Sequence, residues 1–246
     1  EERKVVEWVA NMLARYENIP VFTNFKHITQ KIFDALNIQS VVEKNEKMES
    51  AIQFDQHPNS AGSHWLIPIT EALQGYRKIE LAYQPYGQDQ PYDRVVYPYI
   101  LKEFKGRWYL IGISESADAM RTYALDRIVR LRKKEATFPF NPSFDCQKYF
   151  EHSFGIYNLS EENPQEIRLK FSQRQGNYVM SRPIHPTQRL IEKDDQSITI
   201  SLQLYISEDF KMELFSYGEQ LTVLSPPSLV QEIKDRLQLM QNNYLL

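Results

Sequence analysis

Residues 105–132 read KGRWYLIGISESADAMRTYALDRIVRLR, and their apolar period is two. Lys105-Gly106 is a two-residue turn candidate, and residues 107–113 form an aromatic strand after it. A polar loop over 114–119 precedes a second strand, in which Arg121 and Tyr123 alternate. Asp126-Arg127-Ile128 then leads into a third short strand that ends in basic residues. Successive strand residues point to opposite faces, so Arg121, Tyr123 and Leu125 share one side, while Thr122 and Ala124 share the other. A face that carries guanidinium and phenol groups together suits an anionic, ring-bearing ligand. Trp108 and Leu110 point together toward a core. Tyr109 faces the opposite way, toward a ligand or beneath a later domain.

The same period extends from 77 to 134, with candidate strands at 77–83, 93–104, 107–114, 120–125 and 128–132. Five short strands with no helix between them predict a small antiparallel barrel. Pro98 cannot donate to a ladder, which places its strand at an edge or at a bulge. Helical spacing dominates upstream. Residues 3–16 carry Val5, Trp8, Val9 and Met12 on one stripe, and Phe25, Ile28, Ile32 and Leu36 form another. A strand candidate lies at 51–54. Ser63 is expected to cap a helix through Trp65, Leu66, Ile69 and Leu73 that Gly75 closes, with Pro68 delaying its start or kinking it. Downstream, Pro139 and Pro142 mark a linker, and residues 165–225 follow a β-α-β-β-α-β order, the split arrangement of ferredoxin-like folds. Ser228 is expected to cap a last helix with a stripe of Leu229, Ile233, Leu237, Met240 and Tyr244. The fold class is therefore α+β: a helical region over 1–76, the barrel over 77–136, a linker over 137–164, and an α+β extension over 165–246.

Trp108-Tyr109-Leu110, preceded by Gly106-Arg107 and followed by Arg121-Thr122-Tyr123 and Leu125-Asp126-Arg127-Ile128, resembles the signature of WYL-domain proteins. These are mostly bacterial transcription regulators. The Tyr-Pro-Tyr segment at 97–99 adds to the match, which is closest over 77–134. The resemblance implies a five-stranded barrel of the Sm or SH3 type, often with a C-terminal extension. It also implies a winged helix-turn-helix ahead of the domain. The first helix pair here is acidic and lacks a basic recognition helix, so the expectation is a DNA-binding domain lying upstream of Glu1.

Composition narrows the function classes. The 246 residues carry a net charge of −3, yet 77–134 holds 12 basic against 7 acidic side chains. A basic module in an otherwise acidic chain favours an anionic partner, with a solvated basic face as the bland alternative. One cysteine, Cys146, excludes an internal disulfide framework and fits the cytoplasm, and no apolar run approaches a bilayer span. The histidines at 27, 57, 64, 152 and 185 are scattered without the spacing that places two imidazoles on one helix face. There is no glycine-rich phosphate loop and no nucleophile–base pairing. No enzymatic activity, metal or cofactor is expected.

Arginine recognises phosphate through two parallel hydrogen bonds, and tyrosine stacks on bases. The candidate ligand-binding residues are Arg121, Tyr123 and Arg127, with Tyr83, Tyr97 and Tyr109 as neighbouring aromatics. The family resemblance implies ligand-sensing roles for Arg121 and Arg127, and lesser ones for Tyr83 and Tyr109. Tyr97 stands where many members have histidine. The expected function is the ligand-sensing and oligomerisation region of a transcription regulator. Its ligand would be a nucleotide or single-stranded nucleic acid, its state a homodimer, and its operator DNA would be read by a domain outside this chain. The alternative is a protein–protein docking module without a small ligand.

Overall fold

The computed structural model describes residues 62–159 and 162–245, all within the compact unit Pro58–Leu246. The helices expected over 3–16 and 25–36 and the strand at 51–54 lie outside the described residues.

One turn of 3-10 helix, Ser63–Trp65, runs into helix α1, Leu66–Gln74. Ser63 does not cap it. Trp65 occupies the N-cap position and no side chain caps the helix. Pro68 is the third helical residue, where a missing N–H costs little because first-turn donors have no intrahelical acceptor. Gly75 follows the last turn and donates its N–H to the Glu71 carbonyl at 3.1 Å.

Five strands follow: β1 Arg77–Tyr83, β2 Tyr92–Phe104, β3 Arg107–Ser114, β4 Ala119–Ala124 and β5 Ile128–Thr137. They form one antiparallel sheet in the order β4-β3-β2-β1-β5. Lys105 (φ 49) and Gly106 (φ 77) both take positive φ, so the twist of this two-residue turn matches that of the strands it joins, and Phe104 pairs with Arg107. The β2–β3 ladder shifts register between Pro98 and Ile100, a bulge at the proline.

The strands and the α+β class match expectation, but the sheet is open rather than a closed barrel. β4 and β5 are its two edges. β4 has six residues and gives way at once to a 3-10 turn, Leu125–Arg127, so it supplies little backbone for a closing ladder. Helix α1 covers the core instead: Ile69 and Ala72 pack with Ile79, Leu81, Val96 and Leu110, all fully buried.

Helix α2, Cys146–Phe150, begins where Asp145 accepts from the N–H groups of Gln147 and Lys148. Then come β6 Gln165–Ser172, helix α3 Gln173–Ser181, β7 Arg189–Lys193, β8 Ser197–Leu204, helix α4 Glu208–Phe215 and β9 Leu221–Ser225. The sheet order β7-β8-β6-β9 is the split ferredoxin-like arrangement. Ser172 caps α3 and Ser207 caps α4. Helix α5, Pro227–Asn242, starts with Pro226 at the N-cap and Pro227 at the first helical position, so Ser228 is not the cap. Of its stripe, Leu229 is buried and Ile233 packs on the core, while Leu237, Met240 and Tyr244 are 50%, 45% and 86% exposed. Among the described residues no helix is long and apolar enough to cross a membrane.

Candidate ligand-binding site

The 3-10 turn Leu125–Arg127 is clamped from three sides. Gly62 lies so close that a Cβ there would come within 2.4 Å of the Leu125 carbonyl carbon. The Trp65 indole N–H donates to the Ile128 carbonyl at 3.1 Å, and the Gln84 N–H donates to the Arg127 carbonyl at 3.0 Å. The backbone that carries Arg127 is thus fixed by the segment before α1 and by the loop after β1.

The side chain is served less well. The Arg127 guanidinium carbon lies 4.2 Å from the centre of the Tyr86 ring. Its Nε is buried without a hydrogen-bond partner, and so is Asp126 Oδ1, 4.0 Å away. Asp126 Oδ2 lies 3.7 Å from Arg107 and accepts a long bond, 3.4 Å, from the Tyr86 hydroxyl.

Arg127 lines two cavities. One, of about 290 Å³, is bounded by the 84–88 loop and residues 126–129. The other, of about 160 Å³, is lined by Tyr83, Tyr109, Thr122, Arg127, Tyr157 and Asp209, among others. Burial raises the pKa of both Tyr83 and Tyr109 above the ordinary phenol value, so both enter the cavity as neutral hydroxyls near pH 7. Tyr83 Oη accepts the Ala124 N–H at 3.2 Å, which leaves its proton free to be donated. The Tyr109 ring is 9% exposed and lies within the fields of Arg107, Asp126, Asp209 and Arg127. Among the described residues the cavity is thus lined by three phenols, a threonine hydroxyl, a guanidinium and one carboxylate.

The structure brings together Arg127, Tyr83 and Tyr109. It places the other three candidates elsewhere. Arg121 is exposed on edge strand β4, donates to the Met120 carbonyl at 3.1 Å and lines neither cavity. Tyr123 is 4% exposed and packs edge-on against Tyr83 at 5.2 Å within the core. Tyr97 stacks on Phe138 at 5.2 Å, donates to Glu115 at 2.7 Å and accepts from Lys78 at 3.2 Å. Tyr86, Tyr157 and Asp209 were not among the sequence candidates. Asp209 lies far along the chain and no spacing points to it. The one local sign is Gly155 (φ 86), where a Cβ would fall 2.3 Å from Asp209 Oδ2.

A WYL-domain family model matches residues 64–133, and a WCX-domain model matches residues 163–241. This chain is a WYL-domain protein. Its WYL domain spans α1 and nearly the whole five-stranded sheet and carries Arg127, Tyr83 and Tyr109. Its WCX domain is the ferredoxin-like unit with α5, and it contributes Asp209 to the smaller cavity. No curated protein matches the chain. Among solved structures, proteasome accessory factor B/C (PafBC) of Arthrobacter aurescens is 19% identical with a TM-score of 0.31, over 74% of this chain and 27% of that one. A CRISPR Cas-related protein is 14% identical with a TM-score of 0.46, over 74% of this chain and 52% of that one. The WYL-domain chain thus spans about a quarter and about half of the lengths of these two structures.

Proposed function

We propose that this WYL-domain chain is the ligand-sensing and oligomerising region of a bacterial transcription regulator. The ligand is a nucleotide or single-stranded nucleic acid, held at Arg127 with Tyr83 and Tyr109. No catalysis is involved, operator DNA is read by a domain outside this chain, and the compartment is the cytoplasm. The observation that carries this proposal is a guanidinium buried at Nε without a partner, stacked on Tyr86 and opening onto two cavities. A phosphate supplies the acceptor such a guanidinium lacks, and phenol rings supply stacking surfaces for bases. Arg121 lies on the other face of β4 from Thr122 and Ala124, which line the smaller cavity, and is not part of the proposed site. The ligand acts by its differential affinity for two arrangements of the regulator.

The test is fluorescence anisotropy with labelled short single-stranded DNA, competed by mononucleotides, at two salt concentrations. Arg127→Ala is expected to weaken binding roughly tenfold or more, as expected for loss of a charge-assisted pair. Binding should also fall as salt rises. A folded protein that binds no nucleotide in either form would leave the docking-module alternative standing. The exposed Leu237 and Met240 on α5, with Tyr244 just beyond its end, support the homodimer. Sedimentation showing a monomer at all micromolar concentrations would remove that part of the proposal.

A further inference from the structure

We infer that Asp209 makes this site selective for guanine, an inference that rests on the nucleotide-binding proposal above and specifies its base. Asp209 stands at the second position of α4, and its Oδ2 accepts a long bond, 3.4 Å, from the Ile156 N–H. A bare glycine at 155 allows that approach. Among the described residues Asp209 makes no ion pair, although it shares the smaller cavity with Arg127. An acid and a base that face a common space without meeting leave room for a ligand with a donor edge at one end and an anion at the other.

The order of polar groups identifies the edge. A carboxylate presents two parallel acceptors and is best matched by two adjacent N–H groups. Among the nucleobases guanine alone has that pair side by side, at N1 and the 2-amino group. Adenine and cytosine would set a ring-nitrogen lone pair against the carboxylate, and uracil and thymine offer a single N–H flanked by carbonyls. Guanine also carries O6 beside N1, and the neutral hydroxyls of Tyr83 and Tyr109 are donors available to it. Tyr109 Oη has no hydrogen-bond partner among the described residues. Tyr157, half exposed at the rim, offers a ring face to a bound base. The cavity of about 160 Å³ takes one base, with the phosphate directed to Arg127 and the larger space beyond it.

Competition binding of GMP, IMP and AMP to the full chain tests this. GMP is expected to bind about tenfold or more tighter than AMP, the scale of one bidentate base contact. IMP, which lacks only the 2-amino group, should fall between them. Asp209→Asn should erase or reverse the preference for GMP, because the carboxamide offers one acceptor and one donor, the pattern that matches the amino group and ring nitrogen of adenine. Tyr109→Phe, which removes a hydroxyl donor to O6 and keeps the ring, should lower GMP affinity by a larger factor than AMP affinity. Equal binding of GMP and AMP, lost on Arg127→Ala, would overturn guanine selectivity and leave the nucleotide site intact. A guanine preference that survives in Asp209→Asn would overturn the role of Asp209. Absence of all nucleotide binding by the folded wild type would overturn both proposals.

Discussion

Arg127 keeps its charge where the fold serves it poorly. A buried donor without a partner costs about 1–3 kcal/mol, and here Arg127 Nε and Asp126 Oδ1 are both unpaired and 4.0 Å apart. Nothing in the packing requires that arrangement, since the turn is held by backbone contacts from Trp65 and Gln84. Sites tuned for binding commonly retain such local conflicts. Arg127→Met keeps most of the stem and removes the unpaired donor, while Asp126 retains Arg107 nearby. Its unfolding free energy is therefore expected to lie within about 1 kcal/mol of wild type, with nucleotide binding lost. Urea denaturation beside anisotropy separates the two effects. A loss of several kcal/mol would make Arg127 a structural brace.

At the scale of elements, the ladders explain which parts of the sequence spoke clearly. β1 sets Ile79, Leu81 and Tyr83 at alternate positions and β3 is a short apolar run closed by a turn at each end, so their ends follow from the residues alone. β5 runs five residues past its expected end because Arg132, Lys133 and Thr137 pair with Glu80, Ile79 and Arg77. A charged edge strand shows no apolar alternation, so only its partner defines it. The site was half legible for a similar reason. Arg121 and Tyr123 do share a face, but the 3-10 turn Leu125–Arg127 breaks the period of two, so Arg127 opens onto other cavities. The α5 stripe is regular throughout, yet regularity does not say that only its first turns meet a core. Helix packing gives a sharper test at Gly176 on α3. A Cβ there would lie 2.6 Å from Ile198 Cβ, an atom that cannot swing aside. Gly176→Ala should destabilise the protein by about 1–3 kcal/mol despite its better helix propensity. An unchanged or higher Tm would mean that α3 stands further from β8 than this packing places it.

Across the whole molecule, the two sheets meet through β2 and the 153–157 segment. Phe104 packs edge-on against Phe154 at 5.9 Å, and Phe154 against Phe210 of α4 at 5.6 Å. Lys105 and Glu213 add an ion pair at 2.9 Å, exposed enough to contribute little. Lys102 is enclosed in the same region, with its ammonium 3.4 Å from the centre of the Phe150 ring. Burial lowers its pKa from an ordinary 10.5 to about 8, against the opposing pull of Asp209. The unfolded chain therefore binds this proton more readily than the folded one between about pH 8 and 10.5. The charged lysine opposes folding fully below about pH 8, and that penalty fades as pH rises toward 10.5. Lys102→Met keeps the stem in place and removes the charge. It should raise Tm at pH 7 by several degrees, the shift expected from relieving one to a few kcal/mol. The gap between variant and wild type should then narrow steadily toward pH 10. A gap that stays constant with pH would assign the gain to packing, and a lower Tm in the variant would mean that the ammonium–Phe150 contact outweighs the burial of the charge.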